Sequence, residues 1–204
     1  MNHKNVQKLV SERSRNRLRK EAFMLREKFG LSSEKKFPIT KFLELVLPEI
    51  DPLFQLEIVG DGELRGRSAE MIPERHTIVV KESVYNAACE ENFYARRVLA
   101  HELGHYVLHC DDEVRFASVV PGEKLPEACN PEWQADVFAD ELLVPINMID
   151  EPNEYLVSKH FAVSRQTAKK QINQAQRLSR ARQKKLEKRK KRKAAERHTQ
   201  PQVS

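Results

Sequence analysis

The segment RRVLAHELGHYVLH, residues 96–109, sets histidines at 101, 105 and 109 on a strict four-residue pitch, with Glu102 directly after the first. At 3.6 residues per turn, His101 and His105 lie about 40° apart around a helix and one turn apart along it, so both imidazoles can reach one ion. Glu102 falls about 100° from His101, close enough to take a proton from a water at that ion without being a ligand. Leu99, Leu103, Tyr106 and Val107 fill the other half of the helix, the face expected to be buried. The pattern predicts an amphipathic helix that lines a cleft and contributes two metal ligands.

Two histidines do not complete such a centre, because catalytic zinc usually takes three protein ligands and leaves a fourth position for water. His109 is a poor third. It lies about 12 Å from His101 along the axis at 1.5 Å per residue, while ligand bonds are near 2 Å. The long pattern H-E-x-x-H-x-x-G-x-x-H also fails, since position 108 is Leu and position 111 is Asp. His109 is expected beside the site, supporting a ligand, or as an ordinary helix-end histidine. The better third ligand is Glu132. In EWQADVFA, residues Glu132, Ala135, Asp136 and Ala139 share one helical face. The two alanines allow another helix to come close, one carboxylate can reach the ion, and Asp136 can accept the free ring N–H of a ligand histidine. Asn130 as N-cap, Pro131 in the first turn and Pro145 as stop punctuate that helix. H-E-x-x-H also occurs by chance in helices without metal; the correctly spaced second helix tips the balance towards a metal.

These two stretches, HELGHYVLH and EWQADVFADELLVP, closely resemble the ImmA/IrrE family of zinc-dependent metallo-endopeptidases, most strongly over residues 92–146. The family's E-x-x-A-[ND]-x-F-A-x-x-L-L-x-P stretch is complete here from Glu132 to Pro145. The resemblance implies an α+β, zincin-like (gluzincin-like) fold with a short sheet flanked by helices. It implies Zn2+ held by His101, His105 and Glu132, a metal-activated water, and Glu102 as general base. It also implies a protein substrate, typically a helix–turn–helix transcriptional repressor of a phage or mobile element. The alternative is a nucleic-acid-associated docking protein that keeps the zinc fold with little or no turnover. Arg97, Tyr155 and His160 could stabilise an oxyanion, though structural roles suit each better.

The rest of the chain is read around this centre. Residues 6–30 are expected as a basic amphipathic helix ending at Gly30, and 39–50 as a helix capped by Thr40 and stopped near Pro48. Short strands are expected at 56–59 and 78–80. The divisions are an N-terminal helix over 1–30, a catalytic domain over 31–150, a helix–turn–helix-like hairpin over 151–178 and a disordered basic tail over 179–204. The hairpin is expected to brace the catalytic domain, because no base-reading set of side chains opens its second helix.

Charge is unevenly spread. The net charge of +6 combines +6 over residues 1–20, −10 over 21–176 and +10 over 177–197. In the tail, Lys188, Arg189, Lys190, Lys191, Arg192 and Lys193 form an unbroken cationic run, a candidate for non-specific, phosphate-driven contact with nucleic acid, or a merely solubilising segment. No apolar run is long enough to span a membrane, and no apolar stretch follows the charged N-terminus as in a secretory signal. Cys89, Cys110 and Cys129 are odd in number and lack C-x-x-C spacing, which points to free thiols and a cytoplasmic location.

Overall fold

The computed structural model describes residues 5–110, 115–119 and 126–198, and side chains from Leu9 to Cys110 and from Pro126 to Arg192. It is a mixed α+β structure, mostly helical, with one three-stranded sheet and one two-stranded ribbon. Strand β1 (Asn5–Leu9) pairs antiparallel with β5 (Arg115–Val119). The first helix, expected from residue 6, begins only at Arg15 (α1, Arg15–Lys28), where Ser14 accepts a hydrogen bond from the N–H of Arg17. It buries Leu18, Ala22 and Arg26 at helical spacing, and Gly30, at φ +68°, lets the chain turn off its end.

The second helical stretch runs past Pro48. It consists of α2 (Ile39–Lys41), a π turn (Phe42–Val46) and α3 (Leu47–Ile50). Proline has no N–H to continue an α-helical ladder, and the wider turn before it absorbs that mismatch. Phe37, Ile39, Phe42 and Leu43 from this region are buried in the core.

The three-stranded sheet has the order β2 (Gln55–Val59), β4 (Thr77–Lys81), β3 (Ala69–Ile72), with β2 and β4 parallel and β3 and β4 antiparallel. Residues 77–80 of the central strand are all buried, as expected of a strand covered on both faces. Strand β3 was not expected from the sequence and forms one edge of the sheet. Helix α4 (Glu82–Cys89) leads into α5 (Phe93–His109), which packs against the sheet on one side and α6 (Pro131–Leu143) on the other.

Helix α7 (Glu154–Phe161) and α8 (Arg165–His198) form the C-terminal hairpin, turned by Ala162 at φ +51° and capped by Ser164, whose hydroxyl accepts from the N–H of Thr167. Ala168 and Ile172 are buried, and the Gln171 amide donates to the carbonyls of Asp140 (3.2 Å) and Val144 (2.9 Å), binding α8 to the end of α6. The disordered tail expected from residue 179 is instead helix as far as His198, with no break at 178. From 165 to 198 there is no Gly or Pro, and Ala, Leu, Gln, Lys and Arg dominate. These are strong helix formers, and the packed first turns supply the nucleus that an isolated segment lacks.

Candidate metal centre

Each site helix begins on a side-chain cap. Asn92 accepts from the N–H groups of Tyr94 (3.0 Å) and Ala95 (3.1 Å) at the start of α5. Asn130 accepts from those of Glu132 (2.9 Å) and Trp133 (3.3 Å) at the start of α6. The helices approach closely at Gly104. A Cβ added there would lie 3.1 Å from Cα and from the carbonyl oxygen of Ala135, and 3.3 Å from Cδ1 of Phe138. Small residues at this crossing bring the first turn of α6 over the histidine face of α5. The burial of α5 therefore differs from a simple two-faced helix: Leu99, Leu103 and Tyr106 are buried as expected, but Val107 is exposed, while Gly104, Leu108 and His109 are covered.

The expected ligand atoms converge. Nε2 of His101 is 3.0 Å from Nε2 of His105, and the Glu132 carboxylate lies 3.3 Å from the first and 3.5 Å from the second. All three donor atoms fall within 4.8 Å of one another, the one such cluster of His, Cys, Asp or Glu among the described residues. A tetrahedral ion with ligand bonds of about 2.0–2.1 Å would space its donors by roughly 3.3 Å. The observed separations therefore fit a His₂-carboxylate metal site.

Two hydrogen-bonded chains lead away from the histidines. Nδ1 of His101 is 3.0 Å from Oδ1 of Asp136, which also accepts from Arg97 at 2.7 Å. Arg97 donates as well to the buried Asp140 (3.2 Å), which also pairs with Lys170. On the other side, Nδ1 of His105 is 3.2 Å from Nδ1 of His109, and Nε2 of His109 is 3.1 Å from Oε1 of the fully buried Gln134. The Gln134 amide nitrogen donates to the carbonyls of Ser11 (2.9 Å) and Ala128 (2.6 Å).

Glu102 is almost buried, and one of its oxygens accepts the backbone N–H of Met71 at 2.8 Å, from the edge strand β3. Burial raises its pKa, opposed by the neighbouring His105 and His101 and by that hydrogen bond. Burial alone would lower the pKa of His101, but the hydrogen bonds to Asp136 and Glu132 prevail and raise it to about 9. The histidines hold Glu132 well below the usual carboxylate range. Asp136 is held down to about 2 against its burial by His101 and Arg97.

The cluster opens into a cleft of about 770 Å³, bordered by Ser68 just before β3, by Glu70 and Met71 on β3 and by Tyr94 on α5. The Tyr94 hydroxyl, 2.8 Å from the Ser68 hydroxyl, belongs to this rim and was not singled out in the sequence, nor were Met71 and Gln134. A backbone N–H leaves no mark in a sequence pattern, and Gln134 is conspicuous only through its burial. Arg97 is engaged by Asp136 and Asp140. Tyr155 stands outside the cleft, stacked by Arg165 at 5.6 Å, and His160 is exposed on α7. Cys110 lies 3.5 Å from Nδ1 of His76 and does not join the ligand group. Lys188, Arg189, Lys190, Lys191 and Arg192 are exposed on α8; the side chain of Lys193 lies outside the described residues.

A helix bearing H-E-x-x-H, faced by a carboxylate from a second capped helix, defines a metallopeptidase-like domain. Residues 73–173 match the IrrE N-terminal-like domain, peptidase M78, and this part of the chain belongs to that family. The match takes in β4, α4 to α7 and the packed start of α8. Comparison with curated proteins returned no match. Among the described residues no helix is long and apolar enough to cross a membrane.

Proposed function

We propose that the chain is a zinc-dependent endopeptidase of the cytoplasm that cleaves a regulatory protein, a helix–turn–helix transcriptional repressor. The observation that carries the reading is the convergence of His101, His105 and Glu132 beside Glu102, with Glu102 held by the edge strand of the cleft. His101, His105 and Glu132 would hold the zinc, which when bound supplies a Lewis acid and lowers the pKa of an attacking water.

This chain's residues do the rest. An extended peptide would lie along β3, whose outer edge faces the cleft and can add a strand. Glu102 takes the proton from the attacking water and returns it to the nitrogen of the leaving amine as the peptide bond breaks. Burial raises its proton affinity while the Met71 N–H steadies the charged form, which suits a group that must both take and release a proton. Asp136 and His109 orient the two ligand histidines through their second nitrogens. The repressor substrate is supported by family resemblance alone.

The test combines metal content by mass with identification of new amino termini after incubation with candidate repressors. About one zinc per chain, lost in Glu132→Ala and kept in Glu102→Gln, with cleavage abolished in both, would support the reading. Metal binding with cleavage unaffected by Glu102→Gln would overturn the assigned base, and a chain that holds no zinc would favour a docking protein without turnover.

A further inference from the structure

We propose that the second half of α8 is a docking surface for double-stranded DNA, independent of the metal centre. From Arg177 to Arg192 the helix carries ten Lys or Arg and one Glu, and every residue from Ser179 to Arg192 is exposed. Among the described residues, none of the cations from Arg177 to Lys191 is engaged in an ion pair.

Their arrangement is directional. At 100° per residue, all but Lys190 of these ten cations fall within an arc of about 200°. The remaining arc carries Ala175, Ser179, Gln183 and Leu186, with Leu178 inside the edge of the cationic arc. These residues line an open groove against Phe23 and Lys20 of α1. The two leucines of the segment, Leu178 and Leu186, thus border this groove, and the rest of the solvent-facing surface is mainly cationic. Lys20 and Arg182, on opposite walls of the groove, continue the positive surface onto the body.

Like charges four residues apart, at Arg180 and Lys184, Lys184 and Lys188, Lys185 and Arg189, and Lys188 and Arg192, disfavour the helix by themselves. A polyanion laid along this face relieves that repulsion. The chemistry also discriminates among polyanions. An anionic membrane binds amphipathic helices through a broad apolar face inserted at the interface, and here only Leu178 and Leu186 supply one, at the groove beside α1. Single-stranded nucleic acid is gripped by stacking on aromatic side chains, and none occurs between Arg165 and His198. Duplex RNA has a deep, narrow major groove, whereas the major groove of B-DNA, about 12 Å wide, admits an α-helix. With almost no Asn or Gln on the cationic arc, contact would be to phosphates and independent of base sequence.

The experiment is fluorescence anisotropy on the full chain with 20-base-pair DNA duplexes of two unrelated sequences, the matching single strand, a duplex RNA and phosphatidylserine vesicles. The two DNA duplexes should bind alike and more tightly than the other three probes. Affinity should fall on the order of 10³-fold between 50 and 200 mM salt, as for about six phosphate contacts. The variant K188Q/R189Q/K191Q/R192Q keeps helix-forming residues and should weaken binding at least about tenfold while flattening the salt slope. Its zinc content should match that of the parent, showing that the body is intact. Unchanged binding by the variant would overturn the proposal, as would single strands, RNA or vesicles bound as tightly as DNA.

Discussion

Nδ1 of His105 and Nδ1 of His109 face each other at 3.2 Å, and the far side of His109 ends on Gln134. The direction of this chain is set at its far end. The Gln134 amide nitrogen is committed to two backbone carbonyls, so its oxygen must face His109. Nε2 of His109 therefore carries the proton, its Nδ1 accepts, and Nδ1 of His105 donates. That leaves the lone pair of His105 Nε2 directed at the cluster, the tautomer a metal ligand requires.

It follows that His109→Leu should weaken metal affinity by about 10- to 100-fold, the usual effect of losing such a partner. His109→Gln, whose amide oxygen can still accept from His105, should retain most of it. Competition with a chromophoric chelator measures both, and equal affinities for the two variants would refute the relay.

Gly104→Ala tests the helix crossing. The added methyl meets backbone atoms of Ala135, which cannot swing aside as a flexible side chain would. Overpacking of this kind costs about 1–3 kcal/mol. Thermal unfolding should shift downward, and metal affinity should fall with it, because Glu132 is carried by the helix that is pushed away.

Met71→Pro removes the backbone N–H that Glu102 accepts, and Met71→Leu, which keeps that N–H, controls for the changed side chain. The lost hydrogen bond had stabilised the Glu102 carboxylate, so its pKa should rise. The acid limb of the pH–rate profile should move to higher pH, with zinc content unchanged. An unmoved limb would show that the bond only positions the strand.

In the metal-free protein His101 is held up to about 9, so at pH 7 a metal must displace its proton. Apparent affinity should therefore rise by about tenfold per pH unit on approach to pH 9, with roughly one proton released per metal bound. Calorimetry in buffers of different ionisation enthalpy measures that proton. The same shift stabilises the metal-free fold below the ordinary histidine pKa of 6.5, and this contribution is lost as pH rises through about 9. A flat affinity between pH 6.5 and 8.5 would contradict it.

The sequence by itself determined what depends on neighbours along one helix. The four-residue pitch puts His101 and His105 on one face, and Asn130 with Pro131 starts α6 at the point where Glu132 projects from its first turn. Small residues at 135 and 139 announced a close helix contact without naming Gly104 as the other side. These are local rules, set by backbone geometry and capping. Tertiary structure decided whatever depended on a distant partner. Strand β3 has no strong alternation and exists through its pairing with β4, yet its Met71 N–H holds Glu102. His109 looked like a spare histidine until Gln134, on another helix, gave it a direction. Composition alone marked residues after 178 as a tail; helix propensity became decisive only because Ala168, Gln171 and Ile172 anchor the first turns of α8 to the body and remove the cost of nucleation.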